Sequence, residues 1–327
     1  KLDLKLHAVY VNHNLRPDEI PYEIEFCSKL CSDFNVNFLL KSIDVKSYTA
    51  GHAFNKQEAA RELRYTAFDE TAFDVKADRI ALAHNADDQI ETLFMRLIRG
   101  TGTKGLSCIP PKRRNIIRPL IETDRREIED YIEKEKLGFV VDSSNLKTDY
   151  LRNRIRLSLI PELKKLNPNL INTILNTISI IQNEEDYFEI IVTKTLMKLI
   201  SRKNEKRIEL FLAPLEVMDT VLLRRVLRRV IDEMKSLRGI GFTHIEDIIR
   251  LIKQGKSGDR LYLPRGIRII KEYAVVVMTC EAPVKISEYE LQSPGEVVVK
   301  DAGLVIRASS AEDKMDFGNG ENSVLLD

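Results

Sequence analysis

The sequence predicts an α/β protein: a parallel sheet with crossover helices, then a mainly helical domain with a small antiparallel β addition. Three observations predict it. Up to about Val141, short aliphatic and β-branched runs alternate with segments of helical apolar spacing, the pattern of strands joined by crossover helices. After Tyr150 the character changes to long Ile/Leu-rich helical segments, and from Arg260 to short strand patterns. Between Arg79 and Ser107 a strand end hands over directly to a helix start, the place where open α/β sheets bind ligands.

In order, Leu4 to Val11 alternates as a strand, and Asn12–Arg16 is the loop after it. Pro17 to Phe34 has helical periodicity through Ile20, Ile24, Cys27, Leu30 and Cys31. Val36 to Ile43 is a second strand. Ser42 to Asn55 is polar and glycine-containing, hence a loop, and Lys56 to Ala72 is a helix. The strand Ile80–Ala83 and the helix after it are followed by an irregular basic loop, Gly100–Arg114. Ile116–Leu120 is a short strand, Thr123–Lys136 a charged helix with Thr123 as N-cap, and Phe139–Val141 a last short strand ending at Asp142-Ser-Ser-Asn145. Asn153–Lys165 is basic and amphipathic; Pro168–Leu199, Leu222–Met234 and His244–Lys253 are helical, and Pro264-Arg265-Gly266 turns a β-hairpin. The length favours more than one domain, with a boundary near residues 160–170.

The stretch from Arg79 carries the best chemical lead. Ile90, Leu93, Phe94 and Leu97 fall at i, i+3, i+4 and i+7 and form one buried stripe. His84, Asp88 and Glu91 cluster on a face roughly opposite, so an imidazole and two carboxylates point away from the core. On its own this is also what a solvated helix face with an acidic first turn looks like.

Apolar content of 43%, charged content of 31% and a net charge of +1 are ordinary for a globular chain. No apolar run approaches the ~18 residues of a membrane span, and no signal peptide opens the chain. Cys27, Cys31, Cys108 and Cys280 lack C-x-x-C spacing and read as structural thiols of a cytoplasmic protein. The five histidines show no metal-ligand spacing. Gly100-Thr-Gly-Thr-Lys-Gly105 matches G-x-G-x-x-G but follows a helix, so it is no dinucleotide fingerprint. It remains a loop whose amides and Lys104 could approach phosphate. Gly255-Lys-Ser257 has Arg250 where a P-loop needs its first glycine, and reads as a surface turn.

His84-Asn-Ala-Asp-Asp-Gln-Ile-Glu-Thr92, Arg99-Gly-Thr-Gly102 and Gly105-Leu-Ser107 resemble the tRNA(Ile)-lysidine synthases, N-type ATP pyrophosphatases with the PP-loop (adenine nucleotide alpha-hydrolase-like) fold. The likeness continues at Glu58-Ala-Ala-Arg61 with Arg64-Tyr65, at Arg118-Pro-Leu120, at Asp142–Asn145, at Arg152-Asn153 with Arg156, and at Leu263–Gly266. It implies an ATP pyrophosphatase domain over residues 1–160, a helical tRNA-binding domain over 161–285, and the start of a β-containing C-terminal domain over 286–327. The family's Ser-Gly-Gly-x-Asp-Ser loop would precede Lys1 and most of its last domain would follow Asp327. The chain is therefore expected to be a fragment with little activity of its own.

The resemblance implies an ATP-dependent ligase that adenylates the C2 oxygen of the wobble cytidine of an isoleucine tRNA with a CAU-type anticodon. Free lysine then attacks C2 through its ε-amine. His84, Asp88 and Glu91 would be catalytic. Asp88 and Glu91 would bind Mg²⁺ as hard oxygen ligands, or hold or deprotonate the lysine amine; the residues do not separate these roles. Asn85, Arg61, Gly102, Lys104 and Gly105 would bind ATP, with Arg61 alternatively binding the lysine carboxylate. Arg64, Lys112, Arg113, Arg114, Asn145, Arg152, Asn153 and Arg156 would contact substrate or tRNA.

Plain structural alternatives stand beside these roles. Arg61 and Arg64 have Glu58 and Glu62 at pairing distance along a helix, and Asp142–Asn145 suits an Asx turn. The basic clusters at 112–114, 152–156, 164–165, 202–207 and 224–229 suit solvated faces as well as a phosphate-tracking surface. Lys112–Arg114 and Arg152–Arg156 are favoured because they flank the proposed site. The rival functions are another PP-loop tRNA-modifying enzyme of thiolase type and a non-catalytic tRNA-binding fragment; a homodimer is left open.

Overall fold

The computed structural model describes residues 4–14, 19–51, 56–140, 151–282, 288–292, 294–299 and 304–308. It divides into two units, 1–189 and 190–327, with the boundary inside one long helix rather than near residues 160–170.

In the first unit, strand β1 (His7–Asn12) pairs in parallel with β2 (Asn37–Ser42), in register from His7↔Asn37 to Asn12↔Ser42. Parallel pairing needs a crossover, supplied by α1 (Ile20–Asp33). Pro21 sits in its first turn, and Asn35, at φ 53, takes the left-handed position beyond its end. The expected loop after β2 instead holds a helix, α2 (Val45–Gly51). Asp44 accounts for it: its carboxylate accepts from the Lys46 and Ser47 amides, both at 3.0 Å, capping orphan donors that polarity alone does not reveal.

Helix α3 (Lys56–Asp74) leads to β3 (Ile80–Ala81), then α4 (Ala86–Arg99). The expected irregular loop after α4 contains a short helix, α5 (Thr103–Leu106), and β4 (Lys112–Arg113). Strand β5 (Ile116–Ile117) pairs in parallel with β3 and antiparallel with β4. Helix α6 (Arg125–Lys134) is capped by Asp124, not Thr123, because Asp124 and Glu127 close a reciprocal capping box. Phe139 and Val140 are not in a strand, and Val141, Asp142 and Asn145 lie outside the described residues.

The basic segment after Tyr150 is broken into α7 (Leu151–Arg154), a π-helical turn (Ile155–Leu159) and α8 (Ile160–Leu166). With the first half of α9 (Leu170–Leu199) it packs on α4, burying Ile90, Leu93, Cys108, Ile155, Ile160, Ile174 and Ile178 together. Leu97, expected in the stripe, is 49% exposed, because the cluster takes up Ile90, Leu93 and Phe94 and leaves the last turn of α4 outside it.

In the second unit, the antiparallel addition is a five-stranded sheet in the order β6-β7-β10-β9-β8. Its strands are β6 (Ile200–Lys203), β7 (Arg207–Phe211), β8 (Arg260–Leu263), β9 (Ile267–Lys271) and β10 (Val275–Thr279). Helices α10 (Leu212–Val217), α11 (Thr220–Lys235) and α12 (Phe242–Gln254) bury their apolar stripes in one core with it. The hairpin at Pro264–Gly266 forms as the sequence predicts, with Arg265 and Gly266 at positive φ. Strands β11 (Gly295–Val299) and β12 (Leu304–Ala308) form a separate ribbon. No helix among the described residues is long and apolar enough to cross a membrane.

Candidate active site

Asn85 and Asp88 close a capping box at the start of α4: Asn85 Oδ1 accepts from the Asp88 amide at 3.1 Å, and Asp88 Oδ2 from the Asn85 amide at 3.0 Å. Asn85 therefore serves the helix. Asp87 reaches across to the start of α6, where its Oδ2 accepts from the Arg125 amide at 2.8 Å. These bonds fix the two helix starts beside the carboxyl end of β3, where His84 stands.

The two acids do not both point away from the core. Glu91 is 0% exposed, while Asp88 retains 18% of its side-chain surface. Arg152 Nε donates to Glu91 Oε2 at 2.6 Å and its Nη2 to Asp88 Oδ1 at 2.5 Å. Arg156 donates to both Glu91 oxygens, at 2.5 and 3.1 Å. Burial works against the charge of Arg156, but the bond to Glu91 and the neighbouring acids outweigh it and raise its pKa. The expectation of an outward-facing Glu91 fails because its partners lie more than sixty residues downstream, where helix periodicity cannot find them.

All four oxygens of Asp88 and Glu91 thus accept hydrogen bonds from the protein. A Mg²⁺ ion bound there would have to displace a guanidinium, and no group of three or more acids, histidines or cysteines among the described residues suits a metal. With Arg152 and Arg156 in place, the residues present do not fit the magnesium site expected from sequence.

Several cations act on His84. Arg61, Arg118 and Arg152 all act on its ionisation, and Arg61 and Arg152 also act on that of Arg64. Burial lowers the His84 pKa, and these guanidiniums lower it further against the pull of Asp88, so the imidazole is neutral. Its Nδ1 is buried without a partner among the described residues. Arg64 is half-buried, its pKa lowered by burial and then by Arg61 and Arg152. It has no ion-pair or hydrogen-bond partner among the described residues; Glu62, two positions away, lies on a different helix face. Arg61 lies over the Tyr65 ring, 4.9 Å from its centroid. Arg118, 5% exposed, donates from Nη1 to the Pro110 carbonyl at 2.7 Å, and its Nε has no partner among the described residues. Sequence reading flagged Arg118-Pro-Leu as a motif but not Arg118 as a site residue; an arginine inside an apolar strand run was the available signal.

The glycine loop is elsewhere. α4 is 14 residues long, so its two ends are about 21 Å apart, and Gly102, Lys104 and Gly105 follow the far end. Arg96 donates to the Gly105 carbonyl, Gln182 to the Ser107 carbonyl at 2.8 Å, and Gln89 clasps Ile109 through both its amide groups. Lys104 pairs with Glu189 at 2.6 Å. A Cβ on Gly105 would meet Thr101 Oγ1 at 1.8 Å, so this glycine serves loop packing. Lys112 and Arg113 are exposed on β4 and Arg114, at φ 55, turns the hairpin; none has an acidic partner among the described residues. Asn153 is buried in α7.

A family model described as a PP-loop domain matches residues 1–163. The fold and the match place the chain among the PP-loop ATP-binding proteins. The tRNA(Ile)-lysidine synthase of Clostridioides difficile is 34% identical over 310 residues, covering 93% of this chain and 67% of that protein. The tRNA(Ile)-lysidine synthase of Caldanaerobacter subterraneus is 33% identical over 336 residues, covering 100% and 71%. Among solved structures, the U34-tRNA thiolase NcsA from Methanococcus maripaludis matches with a TM-score of 0.44 at 20% identity, covering 54% of this chain and 62% of that one. The chain belongs to the tRNA(Ile)-lysidine synthase family, whose members are ligases of tRNA processing.

Proposed function

We propose that the chain contributes to ATP-dependent lysidine formation in the cytoplasm. In this reading the C2 oxygen of the wobble cytidine of an isoleucine tRNA with a CAU-type anticodon attacks the α-phosphorus of ATP, and pyrophosphate leaves. The ε-amine of free lysine then attacks C2, the C2–O bond breaks, AMP departs, and the amine gives up a proton.

The observation that carries this reading is the group of cations around a neutral His84, with Arg64 lacking a counter-ion. Guanidiniums held in place, from the exposed Arg61 to the buried Arg118, stabilise negative charge that builds on a phosphoryl group or base oxygen. Neutral His84 offers one donor and one acceptor to such a ligand. Asp88, the more exposed acid, suits an incoming ammonium, while Glu91 keeps Arg156 in place. Lys112, Arg113 and Arg114 suit contacts to tRNA phosphates. No step is assigned to Mg²⁺.

Incubating the protein, expressed from its complete gene, with ATP, radiolabelled lysine and unmodified isoleucine tRNA tests the reading. Label should enter the tRNA only with ATP present. Adenylation without lysine transfer, or no reaction, overturns it.

A further inference from the structure

We infer that Arg152 holds the place of the substrate amine, and that an anion at the Arg61–Arg64–Arg118 group draws it away, so that anion and amine bind in coupled fashion. This deepens the functional reading above and rests on it.

The division of labour within the ion network is the starting point. Glu91 is fully buried and held by two arginines; without either, a charge would be left in a poor solvent, which is costly. Arg156 alone engages both Glu91 oxygens, so Glu91 keeps a bidentate partner if Arg152 leaves. Arg152 is the more exposed arginine, at 41% against 27%, and bridges Glu91 to the partly exposed Asp88. Its Nη2 therefore occupies, at Asp88 Oδ1, a place that an external ammonium could take.

Arg152 also faces two ways. It is within electrostatic reach of Arg64 and of His84, on which Arg118 also acts; the Arg118 Nε is buried and without a partner among the described residues. Empty of ligand, that group repels Arg152 towards the acids. A bound polyanion reverses the sign of the field and offers the guanidinium a second partner. A ligand shifts such an equilibrium only by its differential affinity for the two positions. The anion supplies it here, and linkage then requires the amine to strengthen anion binding by the same factor.

Calorimetric titration of the chain with L-lysine and inorganic pyrophosphate tests this, with norleucine as the control lacking an ε-ammonium. Saturating pyrophosphate should tighten lysine binding about tenfold, within the usual range of coupling between sites, and lysine should tighten pyrophosphate binding equally. Arg152→Gln should bind lysine without pyrophosphate as well as the unaltered chain does with it, and show no further gain. If that variant does not fold, Arg152→Lys, which cannot bridge both acids in the same way, should show a smaller coupling than the unaltered chain. Equal coupling in variant and unaltered chain would mean direct attraction between the ligands and overturn the role of Arg152. Lysine binding indifferent to pyrophosphate in the unaltered chain overturns the coupling while leaving the lysine reading intact. No lysine binding under any condition overturns both.

Discussion

The two units treat buried charge in opposite ways. In the second, the core is a large aliphatic cluster, and ion pairs such as Arg224 with Glu246 at 2.6 Å and Lys203 with Glu233 at 2.6 Å keep solvent access. Its buried charges among the described residues are satisfied: Lys271 by the Ile252 carbonyl at 2.6 Å and Glu216 at 2.9 Å, Glu209 by Arg207 at 2.8 Å. In the first, a glutamate and an arginine are buried beside a small apolar cluster, and His84 Nδ1 and Arg118 Nε stay without partners among the described residues. Unmet buried polarity is destabilising. The pair at His84 and Arg118, after the adjacent strands β3 and β5, marks where the fold trades stability for chemistry, whereas the second unit is built for packing.

The largest expected effect breaks the packing side of this contrast. Leu227→Ala removes a side chain that is 0% exposed in the second core and should cost about 2–5 kcal/mol, read as a lower denaturation midpoint. Next, Glu91→Gln leaves Arg152 and Arg156 short of a counter-charge. Because both arginines keep partial solvent access, the loss should be about 2–3 kcal/mol, below that of breaking a fully buried pair. An unchanged melting temperature would mean that Glu91 is held by shape alone. Asp124→Ala opens the capping box of α6 and should cost about 1 kcal/mol.

The smallest effect sharpens the contrast through pH. The His84 pKa is lowered by burial and then by neighbouring arginines, so the unfolded chain takes up a proton more readily than the folded one. Stability from this group is present above the unfolded value and lost as pH falls through it towards the folded value. Melting curves between neutral and mildly acid pH should show a shallower loss for His84→Gln than for the unaltered chain. Cys108, buried and with its thiol pushed up to about 11 by burial, belongs with the packed elements. It should resist alkylation at pH 8 until the chain unfolds.

Local chemistry made much of this legible. The parallel β1–β2 pair, α3, α4, α11, α12 and the Pro264–Gly266 hairpin follow from apolar spacing and turn residues, and the family follows from motif order. The Arg224–Arg229 face reads correctly as an amphipathic helix, with Leu223, Val226, Leu227 and Val230 buried beneath it. What sequence misjudged hinges on side-chain partners: Asp44 turning a polar loop into α2, and Asp124 displacing Thr123 as the cap.

Sequence by itself determined which residues could do chemistry, because residue type fixes charge, donor count and helical face. Tertiary structure decided which of them meet. It set Gly102, Lys104 and Gly105 beyond the far end of α4 from His84, and buried an acid that spacing left outside. It also put Arg118 within electrostatic reach of His84, and Arg152 within reach of both His84 and Arg64. Those choices depend on segments separated by tens of residues, whose electrostatic and packing energies exist only once the chain has folded.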